Sequence, residues 1–207
     1  MSMLNQLRVA NDVRIKFNVS LAEWFEFPTK DNGFGVMVRD YEKQPEVKRE
    51  AIRLSHEASS VPKDATGQTG LSTNASMFVE LYWNSVLTEG AVIVVDGQGW
   101  KVGHVDESKV SGQVIAKHAP LYLADVSADC SIESVTIGDD EGVIAGLNIT
   151  VTVPAGTDVT ALEPVVSHTG QMIEPTGAQD FTEPVEYTVT AQNMEKQIYV
   201  ITVEVET

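Results

Sequence analysis

Between residues 147 and 205 the chain alternates with period two, and few folds accept that pattern. In LNITVTVP, Ile149, Val151 and Val153 fall on one side and Asn148, Thr150 and Thr152 on the other. In EYTVTA, Tyr187, Val189 and Ala191 oppose Thr188 and Thr190; in IYVITVEV, Tyr199, Ile201, Val203 and Val205 share a side. Successive side chains of a strand point to opposite faces, so β-branched and aromatic residues at every second position make half-buried strands. Pro154, Pro164, Pro175 and Pro184 fall between these runs, where a missing N–H costs no ladder hydrogen bond. Six or seven short strands across residues 128–207 is the spacing of a β-sandwich. GDDEG is expected as a hairpin tip between Val135/Ile137 and Val143/Ile144, and Asp158 to Leu162 as a helical turn.

The upstream part reads as β as well. Val13, Ile15 and Phe17 alternate, and KDNGFG supplies a turn before VMVRDY, since Asn-Gly tolerates positive φ. The clearest hairpin is AVIVVDGQGWKV, with Asp96-Gly97 as its turn. MFVELYW (77–83) is expected as a strand or short helix, and VIAKHAPLYLADV (114–126) as a strand. The charged segment EKQPEVKREAIRLSHE (42–57) shows only Val47, Ile52 and Leu54 as apolar members, so a helical turn or an exposed arm is expected there. Residues 55–76, rich in Ser, Thr, Gly and Ala, read as one long loop, and loops of that length are uncommon without a function.

Charge divides the chain. Its net charge is −16 over 207 residues. Residues 1–127 carry 13 Lys and Arg against 16 Asp and Glu; residues 128–207 carry Lys196 alone against 14. The step argues for two domains, 1–127 and 128–207. It also argues against general nucleic-acid binding, which needs clustered cations. No apolar stretch approaches the roughly 20 residues that span a bilayer, so no membrane partner is expected. The first residues lack the apolar core of a secretory signal, and export is not expected. The single cysteine, Cys130, allows no internal disulfide.

No catalytic, cofactor-binding or metal constellation emerges, and no cofactor is expected. His56, His104, His118 and His168 lack the spacing of zinc ligands. Asp139, Asp140 and Glu141 do not match a calcium loop and read as a solvated turn. Glu23 and Glu26 are the one pair of carboxylates placed like an acid and a base, beside the aromatic cluster Trp24, Phe25 and Phe27. That cluster is expected to be core. The chain is therefore expected not to be an enzyme.

Two resemblances add to this. SIESVTI, GLNITVTVPAGTDVTALEPVVSHTG and YTVTAQNMEKQIYVITV resemble bacterial and phage immunoglobulin-like (cadherin-like) sandwiches, which implies a decoration or spacer module. FNVSLAEWFEF, GVMVRDYE, the long polar loop and AVIVVDGQGWKVGHVDE resemble head-completion or stopper proteins of long-tailed bacteriophages. The expected fold class is all-β, a small barrel-like connector domain followed by an immunoglobulin-like sandwich. The second resemblance implies a homo-oligomeric ring in the virion neck, made in the host cytoplasm, with portal or adaptor and tail proteins as partners. That family projects a long loop toward its channel, here residues 55–76. The resemblance thereby assigns Arg49, Arg53, His56, Lys63, Thr66, Gln68 and Thr69 to contacts with partners or with packaged DNA. The alternatives are a tail-tube or minor tail protein, and a surface glycan-binding or adhesion module with Trp24, Trp83 or Trp100 as its stacking platform.

Overall fold

A computed structural model of the chain describes residues 20–55 and 77–207. Apart from a 3-10 turn at Val159–Ala161, the regular elements among them are strands. β1 (Ser20–Glu26) is followed by a small hairpin, β2 (Thr29–Asp31) and β3 (Met37–Arg39), then by β4 (Glu46–Ser55), β5 (Met77–Leu81), β6 (Val92–Val95), β7 (Gln98–Val102), β8 (Asp106–Val110) and β9 (Gln113–Leu123). Beyond these come β10 (Ile132–Ile137), β11 (Asp140–Glu141), β12 (Val143–Ala145), β13 (Asn148–Val153), β14 (Val165–His168), β15 (Met172–Glu174), β16 (Val185–Thr190) and β17 (Lys196–Val205). The chain forms two units. One runs through Glu26 and resumes at Glu46–Val126; the other takes Phe27–Pro45 with Ser127–Thr207. Phe27–Pro45, which lies upstream of the charge step in sequence, thus groups with the residues downstream of it.

The first unit is a closed antiparallel barrel. Its strands follow the order β5-β4-β1-β6-β7-β9, and β5 pairs again with β9 to shut the ring; β8 continues along the free side of β9. The interior is filled by Ala22, Trp24, Ile52, Val79, Leu81, Ile93, Val95, Val102, Ala119 and Leu121. The β6–β7 connection takes left-handed φ at both Asp96 and Gly97, as a two-residue hairpin between twisted strands requires. Ser111-Gly112 does the same between β8 and β9.

β4 departs from the sequence expectation. EVKREAIRLS is neither a helical turn nor an exposed arm but a ten-residue strand between β1 and β5. Its charges hid the pattern because their partners lie on neighbouring strands. Arg49 Nε donates to Glu23 Oε1 on β1 at 2.6 Å, and Arg53 Nη1 donates to Glu80 Oε2 on β5 at 3.0 Å. Opposite charges facing each other across an antiparallel pair stabilise the sheet.

In the second unit a three-stranded sheet, β11-β10-β14, and a five-stranded sheet, β12-β13-β17-β16-β15, enclose one core. Of the alternating set of the sequence, Ile149, Val151, Val153, Tyr187, Val189, Ala191, Tyr199 and Ile201 are buried, whereas at the end of β17 Val203 is half-buried and Val205 exposed. β13 runs parallel to β17, while its other neighbour is antiparallel. The GDDEG tip joins β10 to β11 only. At Gly142 the chain leaves that sheet, so Val143 and Ile144 lie in the other. Asp158 caps the 3-10 turn, accepting from Thr160 N.

Gly99 in β7 is required by close approach. A Cβ there would lie 2.6 Å from Val126 Cγ1 and 2.7 Å from the Ala124 carbonyl oxygen, which is backbone and cannot rotate away. Gly99→Ala is expected to destabilise the chain by about 1–3 kcal/mol, the range for overpacking. Urea unfolding followed by tryptophan fluorescence measures it, and an unchanged midpoint would show that the strand accommodates the methyl group.

Candidate functional site

The barrel surface gathers most of the polar side chains that the sequence pointed to, and it uses many of them internally. Partners across an antiparallel ladder share a face. Val79 and Leu81 point inward, so Glu80 between them points outward. In register with it lie Arg53 on β4 and His118 on β9, and His118 in turn faces Asp106 on β8. Glu80 and His118 are nonetheless buried, at about 3% exposure each. A buried carboxylate needs a charged partner, and Arg53 supplies it. Arg49 and Arg53, which the second resemblance assigned to contacts with partners or DNA, are strand residues that each make an ion pair. His56, Lys63, Thr66, Gln68 and Thr69 lie outside the described residues.

Glu23 and Glu26 do not form an acid–base pair. They are three apart in one strand, so they point to opposite faces. Glu23 binds Arg49, and Glu26 lies 3.4 Å from Lys48 Nζ. His104 is exposed, with Nδ1 3.0 Å from Glu89 Oε2 and Nε2 3.9 Å from Asp106 Oδ1. The bond to Glu89, then the charge of Asp106, raises its pKa above the ordinary 6.5. Cys130 is half-buried, and burial, then Asp129 and Glu195, pushes its thiol up, which disfavours the reactive thiolate. Burial alone raises the Tyr187 phenol to about 12. Among the described residues no group of three His, Cys, Asp or Glu side chains is placed to hold a metal ion.

Of the three tryptophans, Trp24 points into the barrel beside Ala22 and cannot stack on a ligand. Trp100 is half-buried against the same core. Trp83 is half-exposed in the loop that follows β5, between half-exposed Tyr82 and exposed Asn84. That loop is held from both sides. Ser85 N donates to the Tyr82 carbonyl at 3.0 Å, and Leu87 N donates to Ser85 Oγ at 3.2 Å. Lys117 Nζ, from β9, donates to the Ser85 carbonyl at 2.9 Å and lies 4.0 Å from Glu107. Trp83 thus presents a half-exposed aromatic ring on a loop braced by Lys117, with exposed Asn84 beside it in sequence. The sequence named Trp83 only as one of three. Ser85 and Lys117 left no signal, because the link between them runs through a main-chain carbonyl.

Among the described residues no helix is long and apolar enough to cross a membrane. A family model described as "SGBP, N-terminal" matches residues 132–203, which lie within the sandwich. No curated protein matches the chain. A solved structure from Bacteroides thetaiotaomicron described as a glycoside hydrolase is similar at 30% identity and a TM-score of 0.36. The likeness covers 39% of this chain and 26% of that one, so the chain spans about a quarter of that protein. Neither likeness is to a phage connector protein.

Two outcomes follow from the charge geometry. Arg53→Met is expected to destabilise the fold by about 3–5 kcal/mol, the cost of removing one partner of a buried ion pair, read from the urea midpoint. The His104 pKa, followed by NMR, should lie above that of a model imidazole and fall toward it in Glu89→Gln. A raised folded pKa makes the pair's contribution complete below the unfolded pKa of about 6.5 and lost as pH rises through the folded value. An unshifted His104 in the parent chain would remove the pair.

Proposed function

We propose that the chain is a non-catalytic binding protein of a surface glycan-handling system, in which the sandwich is the carrier module and the barrel makes the contact through Trp83. The observation that carries this reading is the match of residues 132–203 to the SGBP family model, whose name denotes surface glycan binding. The braced loop Tyr82–Leu87 supports it. A sugar ring offers an apolar C–H face and a rim of hydroxyls. An aromatic ring takes the first, and the exposed Asn84 amide takes the second. The committed ion pairs of Arg49 and Arg53 fit a surface evolved for its own rigidity, not for drawing in phosphate.

The experiment is binding of the whole chain to a panel of soluble oligosaccharides by calorimetry, with product analysis of the same mixtures. Saturable binding without shortened products is expected. Trp83→Ala should weaken it about tenfold or more, which corresponds to about 1.4 kcal/mol. Silence across the panel would overturn the glycan reading, and release of shortened sugars would overturn the non-catalytic one.

The second reading is the ring subunit of a phage neck, and the closed barrel is the observation in its favour. On that reading the protein acts by filling a place between portal or adaptor and tail. Electron micrographs of the purified chain showing rings with a central channel, together with silence on the glycan panel, would favour it over the first.

A further inference from the structure

The hairpin β2–β3 displays apolar side chains that it does not bury. Phe34 is 89% exposed, Met37 60%, and Val36, Val38 and Tyr41 are exposed as well. They are held out on a rigid frame. Asp31 Oδ1 accepts from Gly33 N and Gly35 N, and Asn32 Oδ1 accepts from Phe34 N and Val36 N. Buried Asp40 is paired with Lys30 and Lys43 at the base. The two strands pair only with each other, so both outer edges are open among the described residues. An isolated two-stranded ribbon gains little stability in water, and a fixed apolar one is a surface awaiting cover.

The sandwich has a matching vacancy. β12 ends its sheet, and its outer side carries no strand among the described residues. Val143 is 71% exposed, and Ile144 and Leu147 are exposed too. Natural sheets guard such edges with Lys, Pro, a bulge or a covering segment. The opposite edge of this same sheet is guarded: Gln44 Oε1 accepts from Ile173 N on β15, and neighbouring Pro45 is buried. β12 is guarded only by its shortness, three residues, and has no Lys, Pro, bulge or covering strand among the described residues. Gly142 holds the chain close to the core there, since a Cβ would meet Val151 and Ile149 at 3.0 and 3.1 Å.

Charge selects the occupant. Asp139, Asp140 and Glu141 precede β12 and make no ion pair among the described residues. Residues 128–207 carry one cation, Lys196, and repel most acidic surfaces of this chain. Phe27–Pro45 is the exception in the unit, with three cations balancing three acids, and its exposed Arg39 at the end of β3 has no ion-pair partner among the described residues. We infer that β3 of one copy adds as a strand to the β12 edge of a second copy, with Met37 and Val38 against Val143 and Ile144 and Arg39 facing the acidic turn. Strand addition of this kind takes its affinity from main-chain hydrogen bonds and its specificity from side chains. The two surfaces are different, so the contact is heterologous and propagates until it closes or continues as a filament. The inference goes beyond the glycan reading and is independent of it.

Sedimentation velocity of the full chain over rising concentration tests it, with Met37→Lys and Val143→Lys as variants. Both positions are well exposed, so thermal melts should match the parent. The parent should form species larger than a dimer, and each variant alone should associate about tenfold more weakly or less. Mixed together, the two variants should give dimers only, because each retains the half of the contact that the other lacks. A parent that stays monomeric at every concentration would overturn the inference. So would association lost in Met37→Lys but kept in Val143→Lys, which would mean that another partner strand or a hairpin-to-hairpin contact covers β3.

Discussion

The barrel depends on the closure of β5 against β9. β5 is five residues long, yet it pairs with β4 on one side and β9 on the other, and four of its residues are buried. Closing a sheet on itself removes the exposed edges that an open sheet must protect. It also fixes which side chains face where. Val79 and Leu81 meet the interior, and Glu80 must then lie on the outer face, where it is buried all the same. A desolvated carboxylate is tolerated only when paired, so closure places a cation at Arg53, its neighbour in register. The charges of β4 are therefore a consequence of closure. Arg53 Nη1 donates to Glu80 Oε2 at 3.0 Å, inside the sheet.

This explains which parts of the fold were legible in the sequence. The sandwich strands were, because Ile149, Val151, Tyr187, Val189 and Ile201 alternate with polar residues and pack into one core. The β6–β7 hairpin was, because Asp96-Gly97 takes the two left-handed conformations its turn needs. β4 was not. Its inward residues Ile52 and Leu54 are too few to set a period, and its outward charges make sense only once β1 and β5 stand beside it. The turn of the Phe27–Pro45 hairpin and β3 were readable from KDNGFG and VMVRDY, whereas β2, which overlaps the segment read as turn, and the grouping with residues beyond 126 were not, since the Gln44–Ile173 hydrogen bond spans 129 residues. For the site, Trp83 stood level with Trp24 and Trp100 until strand parity put Trp24 beside Ala22 inside the barrel.

The acidity of residues 128–207 has two components. Asp129, Asp158 and Asp180 each accept from the backbone N–H two residues on, at Ser131, Thr160 and Thr182. Their carboxyls are held below the usual range, Asp129 by the hydroxyls of Thr169 and then Ser131, Asp158 by the hydroxyl and amide of Thr160, and Asp180 by the amide and hydroxyl of Thr182. These acids form turns, as short polar side chains do between strands. Asp139, Asp140 and Glu141 instead precede the short edge strand β12 and make no ion pair among the described residues. One count of negative residues thus conceals a local structural role and an outward-facing one.

The likeness to the SGBP model ends at the sandwich, and that division matters for where specificity resides. A fold carries many functions, and recognition belongs to the side chains placed on it. In the sandwich the aromatic residues Tyr187, Tyr199 and Phe181 are buried in the core, and none offers a face to a ligand. The half-exposed Tyr82 and Trp83 lie on the barrel, and the exposed Phe34 and Tyr41 lie on the inserted hairpin. Both belong to stretches that the family model does not match. The interior of this sandwich takes up its own aromatic rings, and what it shows outside is acidic turns and the aliphatic side chains of Val143, Ile144 and Val165.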